Sequence, residues 1–144
     1  ALICSPFDLD MILWCGWNYV FIGEPLPALE CFAKFLKLGR LSPYRVVSLG
    51  GAAIANIQAG RFEDALMFAD QGLKRSQSFG PLYLNRAAAL AHLGRLQEAQ
   101  ATIQEVFRLE PDCTIKQILG VINYDRTPEG ERYLEGLRLA GLPE

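Results

Sequence analysis

Residues 60–65 read GRFEDA, and residues 94–99 read GRLQEA. The two segments lie 34 positions apart, and glycine, arginine, a large apolar residue, an acid and alanine recur in the same order. A glycine between two helical patterns can adopt positive φ and end the first helix, and an acid in the first turn of the next helix is stabilised by the helix dipole. The repeat therefore predicts units of helix, tight turn and helix.

Apolar residues at helical spacing flank these turns. They are Leu49, Ala52, Ala53 and Ile57 before the first turn, and Ala65, Phe68, Ala69 and Leu73 after it. A more diverged copy comes first, with Gly23 as its turn glycine and Ala28 five residues later. It precedes the next copy by 37 positions because the connector at 38–43 is longer. We expect three helix pairs, at about residues 9–42, 46–79 and 80–113.

The repeat pattern ends near residue 113. Residues 114–123 place isoleucines and a leucine on one side of a short predicted helix. Thr127 and Pro128 suit the N-cap and first position of another helix, and Gly141 is suited to end it. We predict that these two helices, within 114–140, cap the array.

The units resemble the tetratricopeptide repeat, whose pattern over 34 residues is W-x₂-L-G-x₂-Y, then A-x₃-F, then P. The matching residues are Gly16, Tyr19, Ala28 and Phe32 in the first copy, Gly60 and Ala65 in the middle copy, and Tyr83, Gly94, Ala99 and Pro111 in the last copy. Gln77 stands where the middle copy would have its closing proline. The resemblance implies an all-α fold: a right-handed α-solenoid of three helix pairs plus two C-terminal capping helices, forming a single domain over 1–144.

In this family the first helices of successive repeats line a concave groove that binds other proteins. The residues matching groove positions form our candidate partner-binding site: Leu13, Trp17, Val20, Phe21, Ile54, Ile57, Gln58, Leu84, Ala88 and His92. Because this set is mostly apolar, the expected ligand is an apolar helix or peptide anchored by Trp17 and Phe21. Some family members grip a chaperone's C-terminal carboxylate with a Lys/Asn clamp. Here Leu13, Trp17, Gly50 and Ile54 occupy those places, so capture of an acidic tail is not expected.

The aromatic first helix leaves two interpretations open. Trp14, Trp17, Tyr19 and Phe21 cannot all face the second helix, since residues two or three apart spread over more than one face. Some of them either bind a ligand or pack against something outside the array. The expected partner is therefore a protein or peptide, an upstream domain of the same chain, or a second copy in a homodimer.

Three short segments carry a second resemblance. Residues 40–43 (RLSP), 109–111 (LEP) and 133–144 (YLEGLRLAGLPE) are similar to the C-terminal repeat region of bacterial adenylate/guanylate cyclase-related proteins. In those proteins a cyclase domain, or a winged-helix regulator in relatives, precedes the repeats. The resemblance implies a fragment of a longer bacterial protein, in which this region is non-catalytic and either regulates or stabilises its neighbour.

Composition argues against several other classes of function. The 144 residues have a formal charge of −2, which is too small to drive binding to a nucleic acid backbone. His92 is the one histidine, and no phosphate-binding glycine motif occurs, so we assign no catalytic residue, no metal site and no cofactor. The longest apolar stretch, at 11–23, is short of the roughly 20 residues that span a bilayer, so no membrane association is expected.

The four cysteines, Cys4, Cys15, Cys31 and Cys113, lack metal-ligand spacing. Cys15 and Cys31 lie in apolar periodic runs, which predicts that the repeat buries them as reduced thiols. Reduced thiols predict a cytoplasmic protein.

Overall fold

A computed structural model describes residues 6–144, with side chains from residue 8 onward, and this part of the chain is helical. The helices are α1 (Pro6–Phe21), α2 (Pro25–Leu38), α3 (Arg45–Gln58), α4 (Phe62–Arg75), α5 (Gly80–His92), α6 (Leu96–Leu109), α7 (Ile115–Val121) and α8 (Pro128–Ala140), with a 3₁₀ turn at Tyr124–Arg126 between the last two. The all-α prediction is confirmed. Cys4 lies outside the described residues.

Three turns with the same backbone geometry separate the helices of each pair. Gly23, Gly60 and Gly94 have φ of 77°, 78° and 79°, values that favour glycine. In each turn the amide after the glycine donates to the carbonyl five residues earlier, as Arg61 does to Asn56 over 2.8 Å and Arg95 to Leu90 over 2.9 Å. The turns therefore set one register for all three helix pairs.

Small residues let successive helices pack closely. Phe32 of α2 is fully buried between two glycines, one on α1 and one on α3. A Cβ added at Gly16 would lie 2.8 Å from the Phe32 ring, and one at Gly51 would overlap that ring. Leu82 of α5 likewise packs on Gly72 of α4, where an added Cβ would lie 2.7 Å from Leu82 Cδ2. The first helices α3 and α5 therefore each rest on the second helix of the preceding pair.

Helix α8 begins and ends where the sequence predicts, whereas α7 ends at Val121, two residues before the end of the predicted helix at 114–123. Thr127 Oγ1 accepts a hydrogen bond of 3.0 Å from the Gly130 amide, and Gly141, with φ of 103°, ends α8. Thr114 caps α7 in the same way through the Gln117 amide. Helix α8, however, packs mainly against α5 and also against α3, so it covers the inner side of the array as well as its end.

The structure tests the expectation that the cysteines are buried. Cys15 is exposed and Cys31 is half-buried, so the prediction that the repeat buries both is wrong. The reason is that their side of α1 and α2 is open, since no described helix precedes α1. The cysteines that the structure describes are free thiols.

Within residues 6–144, no helix combines the length and the apolar character needed to cross a membrane.

Candidate functional site

The ten candidate groove residues do not form one open strip. Five of them are completely buried, namely Leu13, Val20, Ile57, Gln58 and Ala88. Such residues pack between helices of the array and have no surface to offer a partner. They belong to the core, which corrects the expectation that all ten line an open groove.

Helix α8 occupies the part of the concave side formed by the ends of α3 and α5. The backbone carbonyl of Gln58 accepts a hydrogen bond from the Arg132 guanidinium, and His92 Nε2 lies 2.7 Å from the Arg132 carbonyl oxygen. The His92 ring also stacks on Phe62, with ring centroids 4.3 Å apart. His92 therefore holds α8 in place, and the chain itself fills this half of the predicted groove.

Three of the ten residues, Trp17, Ile54 and Leu84, meet at a cavity of about 340 Å³. We call it the central cavity. Its remaining walls come from Gly50, Phe79, Gly80, Pro81, Asn85, Val106, Glu110, Cys113, Gln117, Ile118, Val121, Ile122, Tyr124 and Tyr133. The walls are largely apolar, and the volume lies within the range of roughly 300–1,000 Å³ that is usual for ligand sites.

A buried hydrogen-bond chain forms one polar wall of the central cavity. Asn85 Nδ2 donates to the Gly50 carbonyl over 3.1 Å, and the Tyr133 hydroxyl donates to Asn85 Oδ1 over 3.0 Å. Burial raises the pKa of Tyr133 well above its usual value, and that of neighbouring Tyr124 as well, so both phenols keep their protons. The Asn85 amide is thus held in place by backbone and phenol and is part of the scaffold.

Trp17 supplies a polar group that the scaffold leaves unused. Its Nε1 atom is buried and has no hydrogen-bond partner among the described residues. The Trp17 ring packs edge-on against Phe32 and lies 5.8 Å from it, centroid to centroid. A buried N–H without an acceptor is costly, and a ligand carbonyl would relieve that cost.

Phe21, the second predicted anchor, lies beside Trp17 but faces another space. The two ring centroids are 5.7 Å apart, and Phe21 lines a separate cavity of about 580 Å³. Val121 and Ile122, at the end of α7, line both cavities and separate them. The two aromatic residues therefore do not share one binding surface.

Sequence reasoning missed the contribution of the C-terminal segment to this site. Ile118, Ile122, Tyr124 and Tyr133 line the central cavity although they lie beyond the repeats. The isoleucine stripe of α7 was visible in the sequence, but the helices that it packs against were not.

Among the described residues, no three His, Cys, Asp or Glu side chains come together in a way that could hold a metal ion.

Comparisons with known proteins identify the fold. Residues 56–116 match the family model of the tetratricopeptide repeat. No curated protein matches the sequence. The first tetratricopeptide domain of Spaghetti (RPAP3), bound to the HSP90 peptide SRMEEVD, is 21% identical with a TM-score of 0.68 and covers 95% of this chain and 98% of that one.

Two human domains give the same result. The first tetratricopeptide domain of human RPAP3 is 22% identical with a TM-score of 0.69, and each chain is covered to 94%. The second domain, in complex with the HSP70 peptide SGPTIEEVD, is 18% identical with a TM-score of 0.63, with 90% of this chain and 98% of that one covered. The chain therefore has the fold of a tetratricopeptide repeat domain. The comparisons give no support to the resemblance to bacterial cyclase-related proteins.

Proposed function

We propose that this chain is a non-catalytic interaction module that binds an apolar segment of another protein at the central cavity. The observation that carries the proposal is the meeting of Trp17, Ile54 and Leu84 around a largely apolar space. Trp17, one of its walls, also has a buried N–H without a hydrogen-bond partner among the described residues. An apolar side chain fills the space, and a backbone carbonyl of the same segment accepts from Trp17 Nε1. Recognition of this kind depends on a few buried anchors rather than on total contact area.

The charge of the site argues against an acidic ligand. Two of the similar domains are described with chaperone peptides that end in EEVD. Among the described residues that line the central cavity, the only charged side chain is Glu110. A carboxylate near Glu110 would be repelled, and no lysine or arginine in that lining would offset the repulsion. The ligand proposed here is therefore apolar and neutral or basic.

A second candidate function is structural. The apolar side of α1 that carries Met11 and Trp14 favours a role in stabilising a neighbouring domain. The cyclase or winged-helix resemblance of residues 40–43, 109–111 and 133–144 suggests which domain this is. The free thiols of Cys15, Cys31 and Cys113 agree with a cytoplasmic location, and the cyclase resemblance suggests that the cell is bacterial. The sequence upstream of residue 1 in the full gene is the direct test, since a cyclase or regulator domain must be encoded there.

The experiment for the first candidate uses the full chain and a phage-displayed library of linear peptides. We expect the selected peptides to share large apolar side chains and to bind the Leu84→Lys variant at least about tenfold more weakly. Trp17→Phe keeps an aromatic ring but removes the N–H, and it should weaken binding about fivefold, as expected for one hydrogen bond. Circular dichroism establishes that both variants are folded.

Two controls make the result specific. Leu139→Ala removes an exposed side chain from α8 outside the central cavity, and it should leave peptide affinity unchanged. The synthetic peptide SRMEEVD should bind less well than the selected peptides. If it binds as tightly as they do, or if selected peptides bind Leu84→Lys normally, the central cavity is not the recognition site.

A further inference from the structure

The three turn glycines allow α1 to be compared, position by position, with the first helices of the other pairs. Met11 and Trp14 are 52% and 51% exposed. Their equivalents, counted back from the turn glycines, are Ser48 and Leu82 for Met11, and Gly51 and Asn85 for Trp14. All four equivalents are buried. The face of α1 that carries Met11 and Trp14, called here the outer face, is thus open where α3 and α5 are covered.

The structure shows what covers the equivalent faces. Phe32 of α2 packs on Gly51 of α3, and Gly72 of α4 packs under Leu82 of α5. In both of these contacts the cover is the second helix of the preceding pair, whereas Asn85 of α5 hydrogen-bonds to Gly50 of α3 and to Tyr133 of α8. The Trp14 ring packs edge-on against the Tyr44 ring, with the ring centroids 6.3 Å apart, and about half of the Trp14 side chain remains exposed.

These interfaces match large residues with small ones. Where α2 presents Phe32, α3 presents glycine, and where α4 presents Gly72, α5 presents leucine. The outer face of α1 presents two large residues, Met11 and Trp14, three positions apart. Close packing without overlap then requires small residues three positions apart on the covering helix. Ala69 and Gly72 of α4 have this spacing.

The groove beside the outer face indicates a third feature of the cover. Between α1 and α2 this groove measures about 590 Å³ and is lined by Met11, Ile12, Cys15 and Tyr19 among others. The equivalent groove between α5 and α6 measures about 280 Å³, and Leu73 of the preceding helix α4 forms one of its walls. A covering helix on α1 would therefore place a large apolar residue directly after its second small residue.

We propose that the outer face of α1 binds a partner helix of the α4 type, with small residues at positions i and i+3 and a large apolar residue at i+4. The partner helix lies on α1 as α4 lies on α5. This inference concerns a surface separate from the central cavity and does not rest on peptide binding there. It uses the same side of α1 as the second candidate function and names the kind of helix that this side binds.

A second copy of the chain does not offer such a helix. Pairing α1 with α1 would set Met11 and Trp14 against the same large residues. Helix α6 carries Ile103 and Val106 at the places of Ala69 and Gly72, and both are buried already. Among the described helices, the small-residue face of α4 is therefore already packed on α5, and α6 does not have such a face.

The test uses a synthetic peptide of residues 62–75, FEDALMFADQGLKR, held helical by a lactam bridge from Glu63 to a lysine at position 67, both exposed positions. The matched control peptide carries Ala69→Leu and Gly72→Leu. We expect the full chain to bind the control at least about tenfold more weakly, because large residues would oppose Met11 and Trp14. Trp14→Ala, a change at a half-exposed site, should weaken binding of the first peptide by about tenfold as well.

Cys15 reports the position of the bound peptide. It is exposed beside the outer face, and saturating peptide should slow its alkylation by iodoacetamide at least about fivefold because the thiol becomes shielded. Leu84→Lys should leave all of these results unchanged. Failure of the peptide to bind, equal binding of the two peptides, or normal binding by Trp14→Ala overturns the proposal. So does a dimer of the chain that Trp14→Ala dissociates, since a second copy would then cover the face.

Discussion

Two adjacent glycines in α3 show how much one position determines the packing around it. A Cβ at Gly51 would overlap the Phe32 ring, whereas a Cβ at Gly50 would meet its nearest neighbour, Leu82 Cδ2, at an ordinary distance of 3.7 Å. Phe32 cannot retreat, because its ring also lies against Gly16 of α1. Gly51 is therefore required by close packing, and Gly50 is not.

Gly51→Ala should destabilise the protein by about 1–3 kcal/mol, because the added methyl group overpacks a rigid contact. Gly50→Ala is the matched control, and it should be neutral or stabilising by up to about 1 kcal/mol, since alanine is the better helix former. Urea denaturation measures both. Equal effects of the two substitutions would contradict the packing of Phe32 between α1 and α3.

At the scale of elements, α7 and α8 differ although both follow the repeats. Helix α8 buries Tyr133, Leu134 and Leu137 against the first helices, while α7 has seven residues, of which Ile115 is buried. A short helix with little burial opens locally at low cost in free energy. We interpret α8 as part of the core and α7 as the less tightly packed wall of the central cavity.

Glycine substitutions test this difference. A Cβ at Gly136 of α8 would lie 2.9 Å from the backbone oxygen of Ala88, whereas one at Gly120 of α7 would have no heavy atom within 4 Å. Gly136→Ala should therefore cost about 1–3 kcal/mol in thermal or urea unfolding. Gly120→Ala should stabilise α7 by up to about 1 kcal/mol. Comparable destabilisation by both would show that α8 does not dock as described.

At the scale of the whole molecule, the array and its C-terminal segment form one structure. Two hydrogen bonds join α8 to the first helices beneath it. Arg132 donates to the Gln58 carbonyl of α3, which lies 74 positions earlier, and the Arg132 carbonyl bonds to His92 of α5. The amides of Ile115 and Lys116 also donate to the carbonyls of the last two residues, over 2.9 and 3.1 Å. The inner side of the array is therefore covered by the segment that follows the repeats.

Removal of residues 127–144 should abolish cooperative folding or cause association. Leu134 and Leu137 are fully buried, and each such side chain contributes about 1.5–3 kcal/mol. Together with the surface that α8 covers, this loss approaches the roughly 5–15 kcal/mol by which a domain is stable. Thermal melting and gel filtration of residues 1–126 check it, with full-length Leu139→Ala as the control. A monomer of 1–126 that melts like the full chain would contradict the integral role of α8.

The sequence by itself determined the helices, the turns and the repeat register. These features depend on local patterns: apolar spacing, a glycine that accepts positive φ at Gly23, Gly60 and Gly94, and the cap at Thr127. The resemblance to the repeat family also named Trp17, Ile54 and Leu84 as candidates, and the structure brings these three to one cavity. Local patterns are sufficient to predict where helices begin and end, because neighbouring residues alone satisfy the backbone N–H and C=O groups at helix ends.

Only the tertiary structure decided which of those helices remain accessible. That α8 turns back over α3 and α5 depends on the fit of Gly136 against Ala88 and of Arg132 against Gln58, pairs that are remote in sequence. The same kind of fit completely buries five predicted groove residues and leaves Met11 and Trp14 about half exposed. Complementarity between distant surfaces has no periodic signature, because it arises from shape and hydrogen bonding once the elements meet.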